Sequence, residues 1–315
     1  MSKKAIIFGI KGYKLNKKEK LFFKNNIPWG IILFGRNIKD ITQLRKLTKE
    51  IKIIFNDDNF PILADVEGGK ISRLNKIIDL SVFSQDYFAR LYDKNKKLFK
   101  NYYSLYVNTV SHILRDVGIN INTVPVLDVR RKTTHSVIGN RSFSGDPKKV
   151  SLLGNLCVDY YKKNKIGCVM KHIPGHGLSK LDSHYETPVI LASKKELQKR
   201  DFRPFMECKS FFAMTSHLIY KNFDSYNVAT HSRIIIKKII RNHIKFNGIL
   251  ISDDISMKSL KFSLIKNAKK ALEAGCNLVL HCNGNIYEMR KLVKVIPKID
   301  KFTQKKTSDF CKFIG

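Results

Sequence analysis

Short runs of aliphatic and β-branched residues recur along the chain, and each is followed by a longer segment that is highly charged or has helical spacing. Such runs are typical of buried strands, and the segments between them are typical of helices. Because parallel strands need long crossover connections, the alternation predicts a parallel sheet, and eight repeats predict a closed (β/α)8 TIM-type barrel of the α/β class. The predicted strands are 5–10, 30–34, 61–65, 121–125, 167–171, 211–216, 248–252 and 277–281.

The segments between the strands carry recognisable helix signals. In 38–54, apolar residues recur every three or four positions and form one apolar face. Asp146 and the proline after it predict the start of a helix over 148–161, because aspartate caps helices and proline suits their first turn. Ser193 and Glu196 have the spacing of a capping box.

The pattern also predicts the domain organisation. No linker, internal repeat or low-complexity stretch interrupts it, so we expect one domain over 1–315. The last segment, 302–315, follows the eighth strand as a tail whose role the sequence does not assign.

Polar residues follow most of the predicted strands. In a barrel of this kind the carboxyl ends of the strands share one rim, where the active sites of such enzymes lie. The sequence therefore predicts an enzyme with its site at this rim. The residues concerned are Arg36, Asn37, Asp65, Glu67, Asp128, Lys171, His172, His217, Asp253, Asp254, His281 and Asn283.

Composition narrows the class of protein. Of the 315 residues, 43% are hydrophobic, which excludes general disorder, and no stretch reaches the roughly 18–20 uncharged apolar residues needed for membrane insertion. The apolar run 5–10 is too short for an export signal, because Lys11 interrupts it. Six scattered cysteines without a CxxC pair indicate free thiols, so a cytoplasmic protein is expected.

The charge is strongly positive, with 59 Lys and Arg against 26 Asp and Glu, a formal +33. Only 13 of these cations are Arg, and the 46 Lys are dispersed along the chain. Proteins that recognise phosphates and base edges depend on the planar guanidinium group of Arg, so a nucleic-acid partner is not predicted. A basic binding module remains the non-enzyme alternative. The positive field could still steer carboxylate-bearing substrates to the protein.

Three segments carry chemistry: 65–73, which reads DVEGGKISR; 171–177, which reads KHIPGHG and is followed by Asp182-Ser183-His184; and 248–257, which reads GILISDDISM. With them the sequence resembles the bacterial β-N-acetylglucosaminidases of glycoside hydrolase family 3, the short single-barrel members that act on cell-wall fragments. The resemblance implies removal of terminal N-acetylglucosamine from muropeptides by a monomer without a cofactor. It also covers 30–37, 122–128 and 138–147.

Cleaving a glycosidic bond with retention needs a carboxylate beneath the anomeric carbon and a proton donor beside the leaving oxygen. Asp253 follows a buried apolar strand, whose end would hold a nucleophile rigidly. The resemblance selects Asp253 over Asp254, which we expect to cap the next helix. It also implies that His184 is the acid/base and that Asp182 orients it. An imidazole with an ordinary pKa near ~6.5 can donate and then accept a proton at neutral pH.

The resemblance also implies a set of substrate-binding residues, because charge-assisted hydrogen bonds suit vicinal hydroxyls. For the two arginines of the set, salt bridges at the rim with Glu67 or Asp146 are the alternative. His176 is expected to be a structural loop residue, and His217 could either line the pocket or pack beneath it. The implied binding residues are Asp65, Arg73, Arg141, Lys171 and His172.

A metal-dependent hydrolase is the main rival function. A dense group of potential ligands follows the fifth strand, and barrels hold metals at the same rim. The HxxxH spacing is broken by Pro174 and Gly175, and no HExxH or CxxC accompanies it, so no metal is predicted. The potential ligands are His172, His176, Asp182, His184 and Glu186.

Overall fold

The computed structural model describes residues 3–315. Eight parallel strands form a closed barrel in chain order, each paired with the next and the last paired with the first, which confirms the predicted (β/α)8 fold. Every predicted strand run overlaps one of them. They are β1 (Lys4–Gly9), β2 (Pro28–Leu33), β3 (Ile62–Ala64), β4 (Ile121–Asn122), β5 (Gly167–Ile173), β6 (Phe212–Thr215), β7 (Ile249–Asp254) and β8 (Leu278–His281).

Helices cover the outside of the barrel. In the described residues 3–315, none of them is long and apolar enough to cross a bilayer. A π-helical segment, Ile235–His243, precedes β7, and short 3₁₀ turns lie at Gly35–Asn37, Gly139–Arg141 and Ala229–His231. The α-helices are α1 (Lys17–Asn25), α2 (Ile41–Phe55), α3 (Gln85–Lys94), α4 (Lys96–Asp116), α5 (Pro147–Lys163), α6 (Lys194–Lys199), α7 (Arg203–Met206), α8 (Leu264–Ala274), α9 (Ile286–Val295) and α10 (Lys301–Ile314).

The helix boundaries differ from the sequence-based ones where a cap decides them. The helix predicted over 38–54 begins at Ile41, because Asp40 accepts a hydrogen bond from the Gln43 N–H at 2.7 Å and is the N-cap. Asp146 caps α5 as predicted.

The capping box predicted at Ser193 is half formed. The Ser193 hydroxyl accepts a hydrogen bond from the Glu196 N–H. The Glu196 carboxylate lies 3.7 Å from the Arg131 guanidinium, so it faces an ionic partner. A capping box needs the carboxylate to bond the N-cap N–H, and the charged partner competes with that bond.

Helix α10 gives the C-terminal tail a structural role. It packs against the amino ends of the strands, where the Phe310 ring lies 5.0 Å from that of Phe212. The buried Trp29 indole N–H donates to the Thr307 hydroxyl at 2.8 Å. The tail therefore closes the barrel at the face opposite the rim and leaves the carboxyl ends of the strands free for chemistry.

Two small strand pairs shape the loops above the rim. Val66–Gly68 and Ile71–Ser72 form an antiparallel pair directly after β3, and this turn carries the 65–73 motif. Val189–Ile190 pairs with Ile219–Tyr220, which joins the loop after β5 to the loop after β6. Backbone pairing thus gives these connections a defined position.

Phe310→Ala should lower the free energy of unfolding by about 3–5 kcal/mol, because it leaves a cavity under the barrel. Urea unfolding followed by the fluorescence of Trp29, the single tryptophan, measures it. Phe302→Ala is the matched control on the same helix, since Phe302 is 37% exposed and its loss should cost less than about 1 kcal/mol. Equal losses would show that α10 does not seal the barrel.

Candidate active site

Seven of the eight site residues predicted from the sequence line one cavity of about 240 Å³ at the carboxyl ends of the strands. That volume lies just below the roughly 300–1,000 Å³ of most ligand pockets, so the cavity suits a small ligand such as a single sugar ring. The eighth residue, Asp182, is bonded to His184. Apolar side chains, among them Ile32, Met214 and Leu280, fill the wall between the polar groups. The seven are Asp65, Arg73, Arg141, Lys171, His172, His184 and Asp253.

A network of opposite charges forms one side of the cavity. The Lys171 ammonium lies 3.3 Å from an Asp65 oxygen and 2.6 Å from a Glu67 oxygen. Arg73 donates to the other Asp65 oxygen at 3.0 Å. Arg141 donates to both Glu67 oxygens at 2.8 and 2.9 Å, in a bidentate pair. Both arginines therefore form rim salt bridges while they also line the cavity, with Asp65 as the partner of Arg73.

The charges of this network hold one another ionised. Burial by itself raises the pKa of the Asp65 carboxyl, but Lys171 and Arg73 outweigh it and the pKa lies well below its usual value. The pKa of Glu67 is lowered in the same way, against burial, by Arg141 and Lys171. Burial lowers the pKa of the Arg141 guanidinium, and Glu67 more than reverses this. The cavity thus offers fixed ionic hydrogen-bonding groups, which suit hydroxyls.

Asp128 holds two histidines that line the cavity. Its carboxylate accepts hydrogen bonds from the His172 Nδ1–H at 2.7 Å and from the His176 backbone N–H at 2.6 Å. The pKa of Asp128 is raised by burial and lowered more strongly by His172 and the other hydrogen bonds, so the group is ionised. This leaves the Nε2 edge of His172 for the cavity, because its Nδ1 is already used.

Asp253 lies near the end of β7 and lines the cavity. Its Oδ1 accepts a hydrogen bond from the Asp254 N–H at 2.8 Å. Burial raises the pKa of Asp253, but the His217 and His172 imidazoles and that N–H outweigh it, so the pKa is below its usual value. Asp253 is therefore a carboxylate at neutral pH, the form that a nucleophile needs.

Asp254 and His217 support this strand end. The prediction that Asp254 caps the next helix is wrong, because the N-cap of α8 is Ser263. Asp254 instead accepts hydrogen bonds from the Ser256 N–H at 3.1 Å and the Ser256 hydroxyl at 2.8 Å in a local turn. His217 uses both ring nitrogens, with Thr230 at 2.7 Å and the Asp254 carbonyl at 3.1 Å. Burial lowers the pKa of His217, despite the nearby Asp253 carboxylate. Of the two readings open for His217, packing beneath the site is the one its contacts favour.

His184 lies on the loop after β5 and lines the cavity from above. Its side chain is 56% exposed, and its Nδ1–H donates to the Asp182 carboxylate at 2.6 Å. The pKa of Asp182 lies below its usual value. Partial burial raises this pKa, but the hydrogen bonds from the His184 backbone and ring lower it by more. The pair thus leaves Nε2 of His184 as the atom that can exchange a proton with a ligand.

The sequence predicted that Glu67 and Asp128 lie at the rim, but it did not predict their partners. Glu67 pairs with Lys171, and Asp128 holds two histidines. Their position directly after strands was the available signal. Buried carboxylates at a barrel rim need cationic or N–H partners, so a search for such partners would have found them. His176, expected to be structural, is buried and bonded to Asp128.

The structure gives no support to the alternative of a metal site. In residues 3–315, no group of three or more His, Cys, Asp or Glu side chains is arranged to hold a metal ion. Each histidine of that alternative, His172, His176 and His184, already uses one ring nitrogen in a hydrogen bond within the protein.

Residues 5–309 match the family model described as the glycosyl hydrolase family 3 N-terminal domain. Among curated relatives, the β-hexosaminidase of Nitrosospira multiformis is 30% identical over 289 residues, which cover 90% of this chain and 82% of that protein. The β-hexosaminidase of Tolumonas auensis is 31% identical over 285 residues, which cover 89% and 83%.

Solved structures give the same result. NagZ from Neisseria gonorrhoeae in complex with N-trifluoroacetyl-D-glucosamine superposes with a TM-score of 0.88 at 27% identity, covering 100% of this chain and 90% of that one. The same protein in complex with a zinc ion gives a TM-score of 0.87 at 27% identity, covering 98% and 90%.

By fold and sequence the protein is a glycosidase, an enzyme that hydrolyses glycosidic bonds. The chain belongs to glycosyl hydrolase family 3, which confirms the resemblance carried by its three motifs.

Glu67→Gln should lower the free energy of unfolding at pH 7 by about 3 kcal/mol, because it leaves two buried cations short of a partner. Since the pKa of Glu67 is lowered in the folded protein, its contribution is present above the unfolded pKa of about 4.3 and is lost as the pH falls through the folded value. The difference in the free energy of unfolding between wild type and Glu67→Gln should therefore become smaller below pH ~4. Denaturant unfolding at several pH values measures it.

Asp309→Asn, which removes an exposed carboxylate, is the control for this experiment and should leave both the stability and its pH dependence within about 0.5 kcal/mol of wild type. A Glu67→Gln deficit that stays constant down to pH 3 would mean that the folded protein does not hold Glu67 ionised.

Proposed function

We propose that the protein is a retaining exo-β-N-acetylglucosaminidase that removes terminal N-acetylglucosamine from peptidoglycan-derived muropeptides. One observation carries the proposal: Asp253 and the Asp182-supported His184 face the same sugar-sized cavity, one from a strand end and one from a loop. Attack on the anomeric carbon and protonation of the leaving oxygen require two such groups beside one sugar ring. The β-hexosaminidase relatives support the type of sugar.

In the first step, an Asp253 oxygen attacks the anomeric carbon while the bond to the leaving oxygen breaks. His184 Nε2 donates a proton to that oxygen, and the product is a glycosyl-enzyme with inverted configuration. In the second step, His184 accepts a proton from water, which attacks the anomeric carbon and releases Asp253. Two inversions retain the β configuration. Asp182 holds the His184 ring and stabilises its protonated form.

The ionic side of the cavity would hold the sugar ring. Asp65 and Arg73 present oxygens and N–H groups to vicinal hydroxyls, and Lys171, His172 and Arg141 complete the set. Because these groups are tied to one another, they lose little freedom when a ligand binds, which favours a fixed ring orientation for attack. The N-trifluoroacetyl-D-glucosamine bound to the gonococcal relative is consistent with a ligand of this size.

A cytoplasmic role in cell-wall recycling completes the proposal. Four cysteines are buried as free thiols, and burial raises the pKa of Cys157, Cys208 and Cys276 to about 12, so these thiols are protonated and unreactive at neutral pH. Free thiols are typical of a reducing compartment. The positive charge of the chain would attract the carboxylates of peptide-bearing fragments.

The metal-dependent alternative has one supporting observation, since a similar structure is described with a zinc ion. A chelator separates the two mechanisms, because no step proposed for Asp253 and His184 needs a metal. Activity that survives excess EDTA supports the glycosyl-enzyme mechanism, and activity restored only by added zinc supports the alternative.

Asp253→Ala should lower kcat/KM by at least ~10³-fold for every leaving group, because no nucleophile remains. His184→Ala should cost about 10²- to 10⁴-fold with an alkyl β-N-acetylglucosaminide and less than about tenfold with a dinitrophenyl glycoside, whose leaving group needs no proton. Steady-state rates on both substrates measure this. An equal loss on both for His184→Ala would exclude it as the acid.

Substrate and stereochemistry are tested together by comparing nitrophenyl β-N-acetylglucosaminide with the matching β-glucoside. The N-acetylglucosaminide should be hydrolysed at least about 10²-fold faster, because contacts with its acetamido group stabilise the transition state. Proton NMR during the reaction should show the β-anomer of the sugar first. Release of the α-anomer first would mean inversion, and equal rates would contradict the assignment of the sugar.

A further inference from the structure

The outer part of the loop after β5, residues 180–187, has one buried position. Between residues 180 and 187, all of which the structure describes, only Ser183 is buried, whereas Asp182 is partly buried and His184 is exposed where it lines the cavity. The middle residue of the Asp182-Ser183-His184 segment thus points inward, between the two residues proposed to move the proton.

Among the described residues the Ser183 hydroxyl has one side-chain partner, which lies at the base of the same loop, three positions after the end of β5. Ser183 Oγ lies 2.9 Å from His176 Nε2, in a hydrogen bond between two buried groups. His176 is 3% exposed, and its ring packs edge-on against that of His172, with 5.5 Å between ring centroids. Burial lowers the pKa of His176 to about 4, so the ring is neutral and serves as a hydrogen-bonding group at neutral pH.

His176 is itself fixed from below. Its backbone N–H donates to Asp128, the carboxylate that also holds the His172 ring. The glycine on either side lets the chain come this close, because a Cβ at Gly177 would collide with the Val129 backbone and Gly175 has a φ of +138°. A continuous set of hydrogen bonds therefore runs from Asp128 at the rim to the residue next to His184.

We infer that His176 and Ser183 form a latch that positions His184 over the cavity, and that they are positioning residues for the proton transfer. The inference rests on the proposed function for its catalytic consequence. Two lateral bonds, from Lys258 N–H to the His184 carbonyl at 3.2 Å and from the Thr187 hydroxyl to the Ser259 carbonyl at 2.6 Å, hold the same loop to the loop after β7. The latch is the inner of these attachments.

The latch predicts a defect that depends on the leaving group. Ser183→Ala should lower kcat/KM about two- to tenfold with an alkyl β-N-acetylglucosaminide, the range that one hydrogen bond supplies. With the dinitrophenyl glycoside the change should stay below about twofold, because kcat/KM for that substrate does not need the proton. Ser111→Ala, which also removes a buried serine hydroxyl but lies in α4, is the matched control and should change neither value.

Variants of His176 show whether the bond itself matters. His176→Gln keeps a polar group near the Nε2 position and should retain most of the wild-type rate on the alkyl glycoside, whereas His176→Leu should behave like Ser183→Ala. In the double variant, His176→Leu with Ser183→Ala, the losses should not add, because both remove the same hydrogen bond. Additive losses, or a Ser183→Ala loss that is equal for both leaving groups, would overturn the latch.

A structural readout separates the latch from the proposed activity. Lys180 is exposed on this loop, and tryptic cleavage measured at the bond that follows it should be about two- to tenfold faster in Ser183→Ala than in wild type or Ser111→Ala, because the loop opens more often. Unchanged cleavage would overturn the latch. If the wild-type protein hydrolyses neither glycoside, the proposed function fails, and the protease comparison still decides whether these residues hold the loop.

Discussion

The ammonium group of Lys171 lies between two buried carboxylates, and the cavity depends on that contact. Any of these charges would be costly to bury by itself, and removing one partner leaves the others uncompensated. Together with Arg73 and Arg141 they form a nearly balanced set of fixed charges that come from β5 and from the loops after β3 and β4. A ligand therefore meets polar groups that are already oriented, so binding needs little rearrangement of the protein.

The two proposed catalytic groups have different mobility, and the fold explains why. Asp253 belongs to a barrel strand, and moving it would break the pairing of β7 with its neighbours. His184 belongs to a loop, is more than half exposed, and is held by a few side-chain hydrogen bonds. A nucleophile gains from rigidity because attack requires a short, aligned approach, whereas an acid/base above the cavity must let substrate enter and leave.

The sequence predicted the barrel because its strands are buried on both sides and therefore appear as uninterrupted apolar runs. It also predicted most of the cavity, since residues that follow such runs must meet at one rim. Its errors lie where two interactions compete. The start of α2 depended on which polar residue became the cap, and the box at Ser193 depended on whether Glu196 met the backbone or Arg131. Both outcomes depend on contacts in the folded protein that the local sequence pattern does not contain.

The role of the C-terminal tail could not be predicted from the sequence either. The apolar positions of α10 were visible, but their partner was not, because the amino ends of the strands form a surface only after the barrel closes. The bond between Trp29 and Thr307 joins residues from opposite ends of the chain. Packing of this kind needs the whole fold to exist.

By itself the sequence determined the repeating strand and helix units, the rim on which polar residues lie, and the motifs that identify the family, because each of these is written in residues close together in the chain. The tertiary structure alone decided which charges became partners. Lys171 and Asp65 are 106 positions apart, and their contact exists only because β3, β4 and β5 pair side by side. The same holds for Asp128 and the two histidines above it, since a buried carboxylate takes whichever donors the folded chain brings within reach.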